Sequence, residues 1–219
     1  MTEITPDLVL RAYTIGYFPM AEHRGDNDLF WVCPDRRGII PLDNVHIPRK
    51  LRSALRDDNH TVTCNQDFRG VLQGCAEAKP KRQDTWISPR IMELFCALHD
   101  MGFAHSIEVW NKKNQLVGGL YGVALGGAFF GESMFSRETD MSKIALMHLI
   151  ARLRHSQFQL LDTQFITKHL QQFGAVEISK DEYIEKLESA LQIRTRFYTG
   201  QMNQDLLLSA LPQPNTVTS

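Results

Sequence analysis

Six glycines stand in the twenty residues from Val117 to Ser136, VGGLYGVALGGAFFGESMFS, and few folds can use them. Glycine inside a strand gives up side-chain packing, so it marks a bulge or a place where another group approaches the backbone. The run reads as two apolar strands joined at Gly126-Gly127. Leu116, Val117, Leu120, Val123, Ala124 and Leu125 come first, then Ala128, Phe129 and Phe130. Glu132 is the one charged residue, set between Phe129-Phe130 and Met134-Phe135. A carboxylate in apolar company must be paired, protonated or used. The strand pattern taken alone favours a structural hairpin with Glu132 in solvent.

The rest of the chain alternates helix and strand signals around this hairpin. Thr5-Pro6 reads as an N-cap with Pro at the first helical position, Leu8, Val9, Ala12 and Tyr13 follow at helical spacing, and Gly16 stops the helix. Residues 17–38 read as an irregular segment whose aromatics dock on a neighbouring surface or line a pocket. Residues 1–37 are therefore expected to form a small N-terminal domain. Pro48–Arg56 is a short amphipathic helix with four cations, Arg49, Lys50, Arg52 and Arg56, and Lys79, Lys81 and Arg82 form a second basic patch. Either is a solvated face or a phosphate contact.

Beyond these, His60–Asn65 and Ala104–Trp110 read as strands, and Asp67 and Ser88-Pro89 as helix starts. A helix begins at Asp140 or Ser142, a strand runs over Gln159–Gln164, and a short helix spans Thr167–Phe173. Ser179 with Glu182 forms a capping box for a helix through Leu191. The last twenty residues carry little pattern, so 201–219 is expected to be a partly disordered tail. This order implies an α/β (α+β) layer arrangement with one mixed, twisted sheet over residues 38–200. It is compatible with an acyltransferase sheet that splays open, but periodicity does not select that fold over others.

With 219 residues and a net charge of −1, the chain can bury a full core and is not a nucleic-acid-coating protein. Its apolar runs are too short for a membrane span. MTEITPDL lacks a signal peptide's basic and apolar regions, and Cys33, Cys64, Cys75 and Cys96 show no metal or disulfide spacing. A cytoplasmic protein with reduced thiols, no membrane partner and no metal centre is the expectation.

Three features carry potential chemistry: Glu132 within GESMFS, Asp162 and Gln164 on one face of the strand LLDTQ, and Trp86 in the loop before a helix. Each has a bland alternative: Glu132 solvated, Asp162 capping a turn, Trp86 stapling its helix. Together they offer an Asp–Gln pair and a second carboxylate, with no Ser-His or Cys-His dyad. Such a site suits amine transfer onto an activated acyl group better than amide hydrolysis.

YFPM, Trp31 with Pro34-Asp35-Arg36, Thr85-Trp86-Ile87, HSIEVW, VGG-x-YGV, GESMFS, Ser142-Lys143 and LLDTQ fall in one colinear order. That order resembles the bacterial leucyl/phenylalanyl-tRNA–protein transferase family from about residue 5 to 197. The resemblance implies transfer of Leu, Phe or Met from aminoacyl-tRNA to proteins with N-terminal Arg or Lys, marking them for the N-end rule pathway. It implies an acetyltransferase-like (GNAT-type) domain that uses no acetyl-CoA or other cofactor, in a protein expected to be a monomer.

By the same resemblance, Asp162 and Gln164 are the catalytic pair, Asp162 orienting the Gln164 amide. Leu120, Phe129, Met134, Leu146, Leu149 and Leu153 form the aminoacyl pocket. Trp86 stacks on the 3′-terminal adenosine, with Met20 on its other side where many members carry Trp. Glu132 is the candidate acceptor-peptide carboxylate, with Asp162 as a contributor, and the two basic patches would touch tRNA phosphates. The competing readings are an acyl-CoA-dependent small-molecule N-acyltransferase of the same fold, which would need a pyrophosphate loop absent from this sequence, and an RNA-end binding module.

Overall fold

The computed structural model describes residues 4–25, 28–78 and 85–212. In chain order the elements are α1 (Pro6–Thr14), β1 (Phe18–Met20), β2 (Phe30–Val32), β3 (Arg36–Ile39), α2 (Arg49–Ala54), β4 (His60–Cys64), α3 (Phe68–Ala76) and α4 (Pro89–Asp100). They continue as β5 (Ala104–Asn111), β6 (Leu116–Leu125), β7 (Ala128–Ser136), α5 (Met141–His155), β8 (Leu160–Gln164), α6 (Lys168–Gln171), β9 (Val176–Ser179), α7 (Lys180–Leu191) and α8 (Gln204–Ala210). The capping residues named from the sequence do their work. Thr5, Asp67, Ser88, Thr167 and Ser179 each accept a backbone N–H in the first turn of α1, α3, α4, α6 and α7.

A seven-stranded mixed sheet of order β4-β5-β6-β7-β8-β3-β9 forms the frame. Every pair is antiparallel except β7 with β8. The glycine-rich run is the hairpin β6–β7 at its centre, with Leu125 opposite Ala128 and the turn at Gly126, where φ is +54°. One side of the sheet carries a core built with α2, α5 and α8, the other a core built with α1, α3, α4 and α7.

Two expectations need correcting. The segment over residues 17–38 is less irregular than its composition suggests: β1 and β2 pair antiparallel as a separate two-stranded sheet, and β3 lies within the main sheet. β3 begins at Arg36, at the place where the boundary of the N-terminal domain is expected.

The second correction concerns the first part of the tail, residues 201–212; residues 213–219 lie outside the described residues. Residues 204–210 form α8, with Leu207 and Leu211 each 2% exposed. The reason is α5, which is buried from Ser142 to Leu153 except Lys143. A helix buried nearly all round needs cover on both sides, and α8 supplies it where the sheet does not. Arg154 donates to Ala210 O and Arg152 to Tyr198 O and Gly200 O, which fastens the segment down.

Candidate active site

The site is built where the central sheet parts. β7 and β8 run parallel through Ala128↔Leu160, Phe129↔Leu161 and Phe130↔Asp162, and their pairing stops there. On the other edge of β7, Tyr121 faces Ser133 while Gly122 faces Gly131, so Glu132 has no partner on β6. Glu132 is a β-bulge residue, and bulges bend a strand and re-aim a side chain. Gly122 is required there: a Cβ on it would lie 2.2 Å from Phe130 O and 2.5 Å from the Phe129 ring.

Between the separated strands lies a cavity of about 300 Å³. Its apolar wall is Leu120, Met134, Leu146, Leu149, Leu161 and Leu170, all packed with the core on the α5 side. Tyr121 and Trp86, which pack with the opposite core, also line it, together with Glu132, Thr163, Gln164, Phe165 and His169. Both faces of the sheet thus contribute to one cavity.

Glu132 is buried at its rim rather than solvated, which overturns the reading from strand pattern. Its Oε1 accepts from the Tyr13 hydroxyl at 2.7 Å and from Gln164 Nε2 at 2.8 Å. Its Oε2 has no hydrogen-bond partner among the described residues. Burial pushes its pKa up to about 7, against the opposing pull of the Tyr13 and Gln164 hydrogen bonds. Burial and the neighbouring Glu132 charge push the Tyr13 and Tyr121 phenols well up, so both remain protonated.

Asp162 and Gln164 are brought to one side of β8 as alternation requires, but their roles differ from the sequence expectation. Asp162 is 0% exposed. Its carboxylate accepts from Arg37 Nε at 2.9 Å and Nη2 at 2.7 Å, from the Tyr183 hydroxyl at 2.7 Å and from the Gln164 backbone N–H at 2.7 Å. Both of its oxygens are engaged and it does not line the cavity, so it is not the group that meets an acceptor there. Nor does it orient the Gln164 amide, whose NH₂ is on Glu132. What Asp162 holds is the Gln164 backbone, at a left-handed φ of +61° that a non-glycine residue adopts only under constraint. Arg37 and Tyr183, which complete this network, were not read from the sequence. The signal was an arginine inside an apolar strand, RRGII.

The remaining expectations divide. Of the residues expected in an aminoacyl pocket, Leu120, Met134, Leu146 and Leu149 line the cavity, and Trp86 lines it with them. Phe129 and Leu153 do not: both are 0% exposed in the core, Phe129 stacked on Phe197 at 5.4 Å. Leu161 and Leu170, not named from the sequence, line the cavity as well. Met20, on β1, packs partly buried against the same core cluster as Trp86 but does not line the cavity.

Arg49, Lys50 and Arg56 on and beside α2 are exposed, while Arg52 is tied to Pro212 O at 3.0 Å. Lys79, Lys81 and Arg82 lie outside the described residues. Among the described residues no group of three His, Cys, Asp or Glu could hold a metal ion, and no helix is long and apolar enough to cross a membrane.

Comparison with known proteins adds the family evidence. The family model described as leucyl/phenylalanyl-tRNA protein transferase matches residues 39–188, and the model of that family's N-terminal domain matches residues 2–35. A leucyl/phenylalanyl-tRNA–protein transferase of Paramagnetospirillum magneticum is 54% identical over 191 residues, covering 87% of this chain and 91% of the relative. One from Ruegeria pomeroyi is 55% identical over 188 residues, covering 86% and 87%.

Among solved structures, a conserved protein of unknown function from Staphylococcus epidermidis aligns with a TM-score of 0.42 at 12% identity, over 81% of this chain and 66% of that one. L-PGS from Bacillus licheniformis aligns at 0.41 and 10% identity, over 94% and 70%. These two likenesses are too distant to bear on fold or activity.

Proposed function

The chain belongs to the leucyl/phenylalanyl-tRNA protein transferase family, and on that premise we propose how its cavity performs the transfer. The enzyme is an aminoacyltransferase that moves Leu or Phe, with Met also admitted, from aminoacyl-tRNA to the α-amine of a protein. Acceptors begin with Arg or Lys, and the product carries an N-end rule degradation signal. The protein acts in the cytoplasm, as a monomer, through an acetyltransferase-like domain whose parted strands β7 and β8 hold an aminoacyl ester instead of acetyl-CoA.

The observation that supports this reading is the two-sided cavity. An unbranched or γ-branched apolar side chain fits among Leu120, Met134, Leu146 and Leu149, where a polar group would be left unpaired. Trp86 lies at the same cavity to stack on the 3′-terminal adenosine, a contact worth about 1–3 kcal/mol. Arg49, Lys50 and Arg56 are free to meet tRNA phosphates without reading sequence. Gln164 Oε1, for which the described residues supply no donor, accepts from the attacking amine, and Glu132 is the carboxylate on the acceptor side.

The donor ester is already activated, so positioning the amine is most of the task. An α-amine of pKa ~7.8 costs about 1 kcal/mol to deprotonate at pH 7, against roughly 4–5 kcal/mol for a lysine side chain at ~10.4. That difference favours N-termini over internal lysines.

Incubation of the enzyme with labelled Phe-tRNA and two peptides differing only in an N-terminal Arg or Ala tests the reading. Ribonuclease-resistant label on the Arg peptide is expected, with the Ala peptide far behind. Label arriving instead from acetyl-CoA on a small amine would overturn it.

A further inference from the structure

Six buried side-chain polar atoms lack a hydrogen-bond partner among the described residues, and four of them belong to residues lining the cavity between β7 and β8. They are Tyr121 Oη, Glu132 Oε2, Thr163 Oγ1 and His169 Nε2. A buried polar atom left unpaired is costly, so four at one cavity are partners on offer to whatever fills it, water or substrate. Tyr121 and Glu132 sit beside each other at the bulge, on adjacent strands where the register slips. A carboxylate oxygen and a phenol, both unpaired and on residues that line the cavity, match a group with several N–H donors.

We propose that the acceptor's α-amine docks at Glu132 Oε2 and Tyr121 Oη, and that Glu132 is the general base of the transfer. This rests on the aminoacyl-transfer reading above. It refines the reading above in two ways: the carboxylate meets the amine rather than the basic side chain of the N-terminal residue, and Gln164 serves by holding Glu132 Oε1 rather than by accepting from the amine.

The balance of the step is closed. The amine nitrogen's lone pair attacks the ester carbonyl carbon and forms the C–N bond. Its proton passes to Glu132 Oε2 as the tetrahedral centre forms. Collapse breaks the C–O bond to the terminal ribose, and Glu132 returns the proton to the departing ribose oxygen. The products are an amide and a free ribose hydroxyl, with the enzyme unchanged.

The surroundings suit that task. Tyr13 from α1 and Gln164 from β8 fix Oε1 and leave Oε2 as the reactive oxygen. Asp162 raises the carboxyl and Arg37 from β3 lowers it, but burial dominates and holds it near neutrality, where a base works best. Tyr121 on β6, opposite Ser133, lines the cavity beside Glu132, and the imidazole pKa of His169, which lines it from α6, is pushed down by burial and then by Lys143. An Asp162 with both oxygens engaged and a weakly basic Gln164 amide offer no better proton acceptor.

Single-turnover transfer from Phe-tRNA to the Arg and Ala peptides decides the matter. Glu132→Gln is expected to slow transfer to both peptides by the same factor, about 10²–10⁴-fold, with Phe-tRNA binding unchanged and the acid limb of the rate profile gone. Tyr121→Phe should slow both by roughly tenfold, the loss of one hydrogen bond. In the wild-type enzyme the acid limb should stay in place when the peptide's terminal amine is replaced by a less basic aminooxy group. A limb that moves with the acceptor overturns the proposal. So does a Glu132→Gln enzyme that keeps its rate on the Ala peptide and loses only its preference for Arg. If the wild-type enzyme transfers nothing, the transfer reading fails instead.

Discussion

Replacing Asp162 with Ala is expected to lower the stability of the fold by about 3–5 kcal/mol, the cost of leaving a buried charge without its partner. Arg37 is 1% exposed, its guanidinium lies over the Phe18 and Tyr183 rings at 4.6 and 4.5 Å, and Asp162 is its counter-ion. Burial alone pulls that guanidinium's pKa down, but Asp162 more than offsets it and keeps the cation. With Asp162 gone, Arg37 Nε and Nη2, the Tyr183 hydroxyl and the Gln164 N–H all lose their acceptor.

Domains hold only about 5–15 kcal/mol in reserve, so urea unfolding should register the change at once. Transfer should fall too, because the left-handed backbone at Gln164 loses its anchor. The double variant Arg37→Met, Asp162→Leu separates the two effects. It should recover much of the stability, as apolar replacement of buried pairs does, and still transfer poorly. An Asp162→Ala protein of wild-type stability would contradict this placement of the residue.

The second large effect runs the other way. Glu132→Gln, though it disables transfer, is expected to stabilise the protein at pH 8. The Glu132 carboxyl moves from an ordinary 4.5 to about 7 on folding, mainly through burial. Below about pH 4.5 it is protonated in both states and costs nothing. Between 4.5 and 7 the folded protein keeps a proton that the unfolded chain has released, so stability falls as pH rises. Above 7 both states are ionised and the full penalty, roughly 3 kcal/mol, stays constant. The advantage of the variant should therefore be near zero at pH 4.5, grow to pH 7 and then level off. Thermal melts of both proteins at pH 5 and pH 8 measure it, and parallel shifts at the two pH values would contradict the buried carboxyl. Stability surrendered at a working residue is a common trade.

The glycine-rich hairpin was legible because its signals are local: apolar alternation and two turn glycines specify strand, turn and strand without reference to other elements. The caps at Thr5, Ser88 and Ser179 were legible for the same reason. Local patterns could not report which groups would meet across the sheet. Glu132 reads as a solvated strand residue until the bulge opposite Tyr121 and Gly122 turns it to Tyr13, 119 positions away in the chain. Asp162 and Gln164 were placed correctly on one face, yet their partners, Arg37 and Glu132, come from strands that sequence order does not make neighbours.

Phe129 and Leu153 look as suited to a pocket as Leu120 and Leu149, and only the parting of β7 from β8 decides which four face space. The C-terminal helix α8 is illegible in the sequence because seven residues carry almost no periodicity. The evidence for it lies in α5, which is buried on more faces than one sheet can cover.

The central claim is that one cavity between β7 and β8 seats the aminoacyl side chain on its apolar wall and the reacting carbonyl beside Glu132. A crystal structure with a stable amide-linked 3′-phenylalanyl adenosine tests it most directly. The account predicts the phenyl ring among Leu120, Met134, Leu146 and Leu149, the adenine against Trp86, and the carbonyl carbon within reach of an amine held at Glu132 Oε2. The phenyl ring in the separate cavity of about 490 Å³ bounded by Ile40, Phe158 and Ile178, or the carbonyl turned away from Glu132, would contradict it.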